Sequence, residues 1–344
     1  KWGGIMLKVH VYTGGKRIVE RSGVGRAIEH QKDILRAEGV MVDGVRFKDA
    51  DIVHINTVLP DSALAAMRAR IMGKKVVYYG HSTMQDFRNS FKGSNVLAPL
   101  FRRWITFCYN LGDVVITPSE YSKFLIEGYG VKAPVYAVSN GIDLGFWKAD
   151  KEGRRAFREK YKLTDEEKVV ISVGHFIERK GLLEFVQLAK NMPDVTFMWF
   201  GYTNLSLVPK EIRYAIENAP ENLIFPGYVN KEELREAYQG CDLFCFMSHE
   251  ETEGIVVLEA IACRAPMIVR DIPVYAGWLQ DGVDVYKCSD DWEFARRCRK
   301  ILNGECEDLT ENAYAVARSR SYDLVGERLL DAYPVENGVV DYIF

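Results

Sequence analysis

The sequence predicts an α/β protein built from two parallel sheets, each with helices on both faces. Two observations carry this expectation. Short apolar runs rich in Val, Ile, Phe and Tyr alternate with segments of helical period, and the alternation runs twice along the chain with an interruption between the halves. Strands separated by helices pair in parallel, and a parallel sheet must be covered on both faces.

In the first half, Leu7–Tyr12 reads as an apolar strand and Gly25–Glu38 as the helix after a glycine-containing turn. Asp51–Asn56 is the next strand, Ser62–Met72 a helix, Lys75–Tyr79 a strand and Asp113–Thr117 another. In the second half, strands fall at Val169–Val173, Val195–Phe200, Leu223–Phe225, Leu243–Met247 and Met267–Val269. Helices at Lys180–Asn191, Lys231–Gln239 and Gly254–Cys263 alternate with them. The break lies at Asn140–Glu152, where Asn-Gly and then a charged run interrupt the apolar rhythm. The expected domains are 6–145 and 146–318, followed by a C-terminal segment, 319–344, with a helix near Asp323–Ala332. Residues 1–5, ahead of Met6, read as lying outside the fold.

A chain of 344 residues that is 48% hydrophobic is able to bury two cores of ordinary size. Its formal net charge of -3 gives no overall attraction to nucleic acid or to a membrane. The seven cysteines are scattered, several inside apolar runs, which suits reduced thiols in a cytoplasmic protein. Cys241 and Cys245 have no second Cys or His pair at zinc spacing, and Asp49-Ala50-Asp51 precedes a strand rather than following one. No metal site is therefore expected. No apolar run approaches the ~18 residues that cross a bilayer, and no signal peptide is visible.

The segment Glu250-Glu251-Thr252-Glu253-Gly254-Ile255-Val256-Val257-Leu258-Glu259-Ala260 carries the most chemistry. Gly254 permits a sharp turn into a helix whose first N–H groups, on Ile255 and Val256, are able to face an anionic diphosphate. Glu251 then lies ahead of the helix and Glu259 inside it, roughly 7 Å down the axis at ~1.5 Å per residue. One carboxylate reaches sugar hydroxyls and the other ribose hydroxyls. A solvated acidic loop capping an ordinary helix is the alternative.

Arg179-Lys180-Gly181 stands where a strand gives way to a helix, at the edge where open α/β sheets bind ligands. Two cations there neutralise charge on a departing nucleoside diphosphate. Gly23 and Gly25 follow the first strand, where the backbone comes close to a phosphate or sugar or simply makes a tight turn. The third glycine and acidic partner of a dinucleotide fingerprint are missing, which argues against a nicotinamide cofactor. His81, Ser119 and Asn140 close other runs at similar edges.

Between Ser62 and Asn110 stand eight cations (Arg68, Arg70, Lys74, Lys75, Arg88, Lys92, Arg102, Arg103) against the single acid Asp86, a local charge of +7. Phe91, Leu97, Leu100, Phe101, Trp104 and Phe107 interleave with them, partly at helical spacing after Pro99. Such a segment suits the surface of an anionic bilayer, with packing of its aromatic side into the core as the alternative. Nucleic-acid binding is disfavoured because no recognisable module accompanies the charge.

The Glu251-x7-Glu259 pattern with Gly254 resembles the donor signature of retaining family 4 glycosyltransferases. The order of Ser22-Gly23-Val24-Gly25-Arg26, Tyr79-Gly80-His81-Ser82, Thr117-Pro118-Ser119, Ser139-Asn140-Gly141, Val173-Gly174-His175, Arg179-Lys180-Gly181 and Phe225-Pro226-Gly227-Tyr228-Val229 extends the likeness over nearly the whole chain. The wording is most similar to that of bacterial membrane glycolipid synthases. The resemblance implies GT-B architecture, with two facing Rossmann-like domains, a cleft between them and the C-terminal segment packed back on the first.

It further implies a UDP-sugar donor, glucose or galactose, with no other cofactor and no metal, and a glycerolipid acceptor such as monoglucosyl-diacylglycerol. His81, Arg179, Lys180 and Glu251 become catalytic candidates. Gly23, Gly25, Tyr228, Val229, Glu251, Gly254, Ile255, Val256 and Glu259 hold the donor, with uracil against Tyr228 and Val229. Ser119, Asn140, Arg88, Lys92, Arg102, Arg103 and Trp104 face the acceptor and the membrane, placing the protein peripherally on the inner face of the cell membrane. His175 stands where the family usually has Arg, and Arg179 substitutes for the missing cation. A transferase acting on a soluble or polysaccharide acceptor, and a catalytically silent sugar-nucleotide binding protein, are the alternatives.

Overall fold

The computed structural model describes residues 6–15, 22–91 and 93–334. Two compact units emerge. One comprises the residues up to Phe87, Val96–Asp143 and the segment from Arg320; the other comprises Arg88–Asn95 and Leu144–Ser319.

The first unit holds a five-stranded sheet in the order β1 (Val9–Tyr12), β2 (Ile52–Ile55), β3 (Lys75–Tyr79), β4 (Val114–Thr117), β5 (Val135–Ala137). Every pairing is parallel, with Ile52 opposite Lys75 and Val77 opposite Val114. β2 and β4 are buried at every residue, which is why they read as continuous apolar runs rather than alternating ones. Around the sheet stand α1 (Gly23–Ala37), α2 (Pro60–Ile71, with Pro at its start), the short α3 (Met84–Phe87), α4 (Ser94–Tyr109) and α5 (Glu120–Gly128). One core joins Val9, Ile34, Val77 and Ile116 to Val325 and Leu329 of the C-terminal helix, Tyr322–Asp331, which lies on α1. The other joins Val53, Ala66, Tyr78, Ile105, Val115 and Ile126.

The second unit holds a six-stranded parallel sheet in the order β11, β10, β9, β6, β7, β8. Its strands are β6 (Val169–Val173), β7 (Thr196–Phe200), β8 (Leu223–Gly227), β9 (Leu243–Phe246), β10 (Met267–Arg270) and β11 (Tyr286–Cys288). Its helices are α6 (Lys151–Lys160), α7 (Leu182–Lys190), α8 (Lys210–Glu217), α9 (Lys231–Gly240), α10 (Ile255–Ala262), α11 (Asp291–Leu302) and α12 (Thr310–Arg318). The chain runs from β6 to β8 on one side and returns at β9 on the other, so the strand order reverses between β6 and β9. The crevice at the carboxyl ends of such a pair is where doubly wound sheets take ligands. Both units are Rossmann-like.

Several expectations need correction. Gly23 and Gly25 do not form a turn: both lie in the first turn of α1, where the Ser22 hydroxyl caps the Gly25 N–H at 3.4 Å. α4 begins at Ser94, ahead of Pro99, which stands inside the helix and forgoes the hydrogen bond a residue there would donate to the Asn95 carbonyl. The helix expected from Lys180 starts at Leu182, after Gly181 in the left-handed region (φ +77°). β5, β11, α3, α5, α6, α8, α11 and α12 lie outside the sequence expectation. The two strands are only three residues long. α6 looked like a charged run because its buried face contains Phe157 and an arginine. Arg158 is buried, and its guanidinium meets Asp242 at 2.8 Å while that carboxylate also accepts from Val169 N–H at 2.8 Å.

Candidate active site

β6 leads into a 3-10 turn, Glu178–Lys180, and β9 leads into the loop Met247–Gly254. The reversal of strand order therefore brings Arg179, Lys180 and Glu251 to one place. Gly181 makes the approach possible, since a Cβ there would stand 2.4 Å from the Met247 carbonyl oxygen. The Lys180 ammonium donates to Glu251 Oε1, Ser248 Oγ donates to the same oxygen at 2.7 Å, and Arg179 Nη1 lies 4.0 Å from it. Arg179 Nη1 also donates to the Glu250 carbonyl at 2.6 Å. Burial alone would raise the Glu251 carboxyl, but Lys180 and Arg179 outweigh it and hold the group below its ordinary range. Glu251 is thus an ionised carboxylate between two cations.

The helix start expected at Gly254 is present. Gly254 sits at φ +94°, the ladder opens with Val257 N–H on the Gly254 carbonyl at 2.9 Å, and the N–H groups of Ile255 and Val256 precede it. Glu259 is buried inside α10, where Tyr238 Oη donates to Oε2 at 3.0 Å. Tyr228 is exposed just beyond β8, with Val229 beside it. His175 is held neutral by burial and by the nearby Lys180 and Arg179, although its Nδ1 meets the Tyr202 carbonyl at 3.2 Å. It therefore supplies no third cation.

His81 belongs to the first unit. It is buried and stacked on Tyr79 (centroids 4.4 Å apart, 24° between planes), and burial lowers its pKa to about 3, with His54 assisting. Asn140 is buried nearby, 3.5 Å from Tyr79 Oη. Ser119, expected toward the acceptor, is buried. It is the N-cap of α5, accepting from Ser122 N–H at 3.1 Å within a capping box.

On α4 the outward face carries Arg102 and Arg103 together with Val96 (84% exposed), Leu100 (65%) and Phe107 (45%). Val96, Leu100, Arg103 and Phe107 form one stripe at helical spacing. Trp104, expected on this face, turns inward instead, and its indole N–H donates to the Val58 carbonyl at 2.6 Å. A partly buried indole N–H needs such a partner, and the loop after β2 provides one. Arg88 is exposed, and Lys92 lies outside the described residues. No helix among the described residues is long and apolar enough to cross a membrane.

Four residues that sequence reasoning missed join these sites. Ser248 follows β9 and shares Glu251 with Lys180. Tyr275 is fully buried, and its hydroxyl lies 3.0 Å from where a Cβ on Gly254 would stand. Asn56 and Gln31 both reach His81. Asn56 and Ser248 carried a usable signal, because each closes a buried strand at the same sheet edge as a residue already singled out. Gln31, inside an amphipathic helix, carried none.

A profile for the family described as glycosyl transferases group 1 matches residues 153–316, and one for glycosyltransferase family 4 matches residues 12–146. The chain is 41% identical over 328 residues to the processive diacylglycerol alpha-glucosyltransferase of Acholeplasma laidlawii, covering 95% of this chain and 98% of that protein. It is 27% identical to the alpha-galactosylglucosyldiacylglycerol synthase of Streptococcus pneumoniae, over 83% of this chain and 77% of that protein. In fold it is similar to Anabaena HepE, solved with UDP and glucose, with a TM-score of 0.77 at 17% identity over 95% of this chain and 99% of that one.

Proposed function

This chain belongs to the family 4 glycosyltransferases of GT-B fold, and from that premise we propose that it moves a glucosyl unit from UDP-glucose to a glycerolipid with retention of the anomeric configuration. Monoglucosyl-diacylglycerol is the preferred acceptor. The observation that carries the reading is the group Arg179, Lys180 and Glu251 beside the left-handed start of α10, at the reversal of strand order.

In this reading the donor diphosphate lies against the Ile255 and Val256 N–H groups, and Lys180 and Arg179 turn from the Glu251 carboxylate toward it. Released from the cations, Glu251 takes the hydroxyls of the hexose. Glu259 receives the ribose, uracil rests on Tyr228 and Val229, and His81 orients the sugar. As the bond from the anomeric carbon to the diphosphate oxygen breaks, its electron pair stays on the diphosphate, where the two cations stabilise it. The acceptor oxygen bonds to the anomeric carbon from the same face, and its proton passes to a diphosphate oxygen. No metal takes part. Asn140 lies toward the acceptor.

The membrane role is assigned to the outer face of α4. Arg102 and Arg103 supply charge there, Val96, Leu100 and Phe107 replace Trp104 as the apolar contact, and Arg88 and Lys92, ahead of the helix in sequence, add to the basic segment. The protein then works peripherally at an anionic membrane surface on the cytoplasmic side.

Mass spectrometry of purified protein given a panel of UDP-sugars and lipid acceptors in mixed micelles tests the whole reading. Glucosylated monoglucosyl-diacylglycerol is the expected product. Transfer to a water-soluble acceptor with none to lipid would replace the acceptor assignment, and no transfer with tight UDP-sugar binding would leave only a binding protein.

A further inference from the structure

The ring of His81 is held by two amides that compete for one nitrogen. Its Nε2 lies 3.3 Å from Gln31 Nε2 and 3.3 Å from Asn56 Oδ1. Both amide side chains are almost fully buried, and their other polar atoms, Gln31 Oε1 and Asn56 Nδ2, are buried with no partner among the described residues. One imidazole nitrogen either donates or accepts, so it cannot serve an N–H group and a carbonyl oxygen at once. Turning one amide by 180° resolves the conflict, since amide oxygen and nitrogen are nearly the same size.

Two resolutions exist. With both amides presenting N–H to an unprotonated Nε2, two amide N–H groups, the ring Nδ1–H and two carbonyl oxygens are left unmatched within the protein. With both presenting oxygen to a protonated Nε2, four N–H groups are left unmatched. Orphaned N–H groups are the rarer and less tolerated in protein interiors, so the first arrangement is favoured. Turning the ring by 180° within its stack on Tyr79 would set a carbon in place of Nε2 against both amides and leave each of them without a partner, so ring rotation is no third way out.

We infer that Gln31 and Asn56 are positioning residues that fix His81 as the Nδ1–H tautomer, so that Nδ1 is a committed hydrogen-bond donor to a sugar oxygen. Nδ1 has no partner among the described residues, and the ring stays neutral at any physiological pH because burial lowers its pKa to about 3. A neutral donor orients a hydroxyl without delivering a proton to it. This inference rests on the assignment of His81 to the transferred sugar.

Long-range nitrogen–proton NMR of the 15N-histidine-labelled protein at neutral pH separates the tautomers directly, with the His81 signal assigned by its loss in His81→Asn. The Nδ1–H pattern is expected in the wild-type protein, and an Nε2–H pattern would overturn the inference without any variant having to fold. Asn56→Asp keeps the size but presents only acceptors to Nε2, so it should switch the ring to Nε2–H and lower kcat while leaving UDP affinity within about twofold; an unswitched tautomer counts against Asn56 as a positioning residue. His81→Asn places an N–H near the position of Nδ1 and His81→Gln near that of Nε2. At least tenfold more kcat in His81→Asn is expected, and the reverse order overturns the inference. Full activity in His81→Ala would instead remove His81 from the sugar, which is a failure of the functional reading and distinguishable from a wrong tautomer.

Discussion

Lys180 is bound to Glu251 before any donor arrives, and that pairing shapes what its loss should do. Lys180→Ala is expected to lower kcat by two to three orders of magnitude, the ~3 to 4 kcal/mol typical of one preorganised charge-stabilising group. The fold should survive, because Arg179 and Ser248 still face the carboxylate. Steady-state kinetics on protein with an unchanged circular dichroism spectrum provide the check, and near-native turnover would remove Lys180 from the mechanism. Gly254→Ala is a different kind of change. At φ +94°, with Tyr275 Oη 3.0 Å from the new methyl, it should lose about 1 to 3 kcal/mol in denaturant titration. Tyr275→Phe in the same chain should recover part of that loss, and an unaffected midpoint for Gly254→Ala would contradict the left-handed helix start. Lys180, Glu251 and Gly254 were legible in the sequence because their chemistry depends on near neighbours along the chain. Ser248 showed only as the polar end of a buried strand and Tyr275 not at all, since the reversal of strand order and the 3-10 turn after β10 bring them in.

At the scale of elements, α4 shows how far a pattern read from sequence extends. Its amphipathic, basic character was visible, but which aromatic residues faced outward depended on a single hydrogen bond from Trp104 to Val58. Binding to phosphatidylglycerol-rich vesicles is expected, weakening as salt rises, because each surface cation contributes roughly 1 kcal/mol and is screened within about a Debye length. Arg102→Glu with Arg103→Glu should reduce vesicle binding and lipid glucosylation while sparing slow hydrolysis of UDP-glucose. Leu100→Ser with Phe107→Ser should weaken binding with less salt dependence, as measured by vesicle flotation. Equal affinity for neutral and anionic vesicles would exclude the charge contribution. The elements that escaped the sequence reading share a cause. β5 and β11 are too short to show a period, and α6 buries an arginine whose partner, Asp242, lies more than eighty residues away.

For the whole molecule, the buried histidines set a limit in acid. Of the six in the sequence, His30, His54 and His81 all lie in the first unit, and burial lowers them to about 4, 3 and 3. An unfolded histidine takes up a proton below about pH 6.5 while the folded one does not, so stability present above that pH drains away as pH falls toward the folded values. Between pH 7 and pH 5 the loss is about 2 kcal/mol per histidine, roughly 6 kcal/mol for the three. Chemical denaturation across this range should show the decline beginning near pH 6.5, above the titration range of ordinary carboxylates. A flat profile to pH 5 would mean that these rings are not neutral and buried. The same unit contains another dependence on distance, since Tyr333 Oη meets His54 Nδ1 at 3.0 Å and the C-terminal helix supplies Val325 and Leu329 to its core. During synthesis this reverses the usual order of events. The segment from Leu144 to Ser319 is translated before Tyr322–Asp331, so the first unit is the last to be completed. Until then its sheet, complete in strands, waits without the cover of Val325 and Leu329.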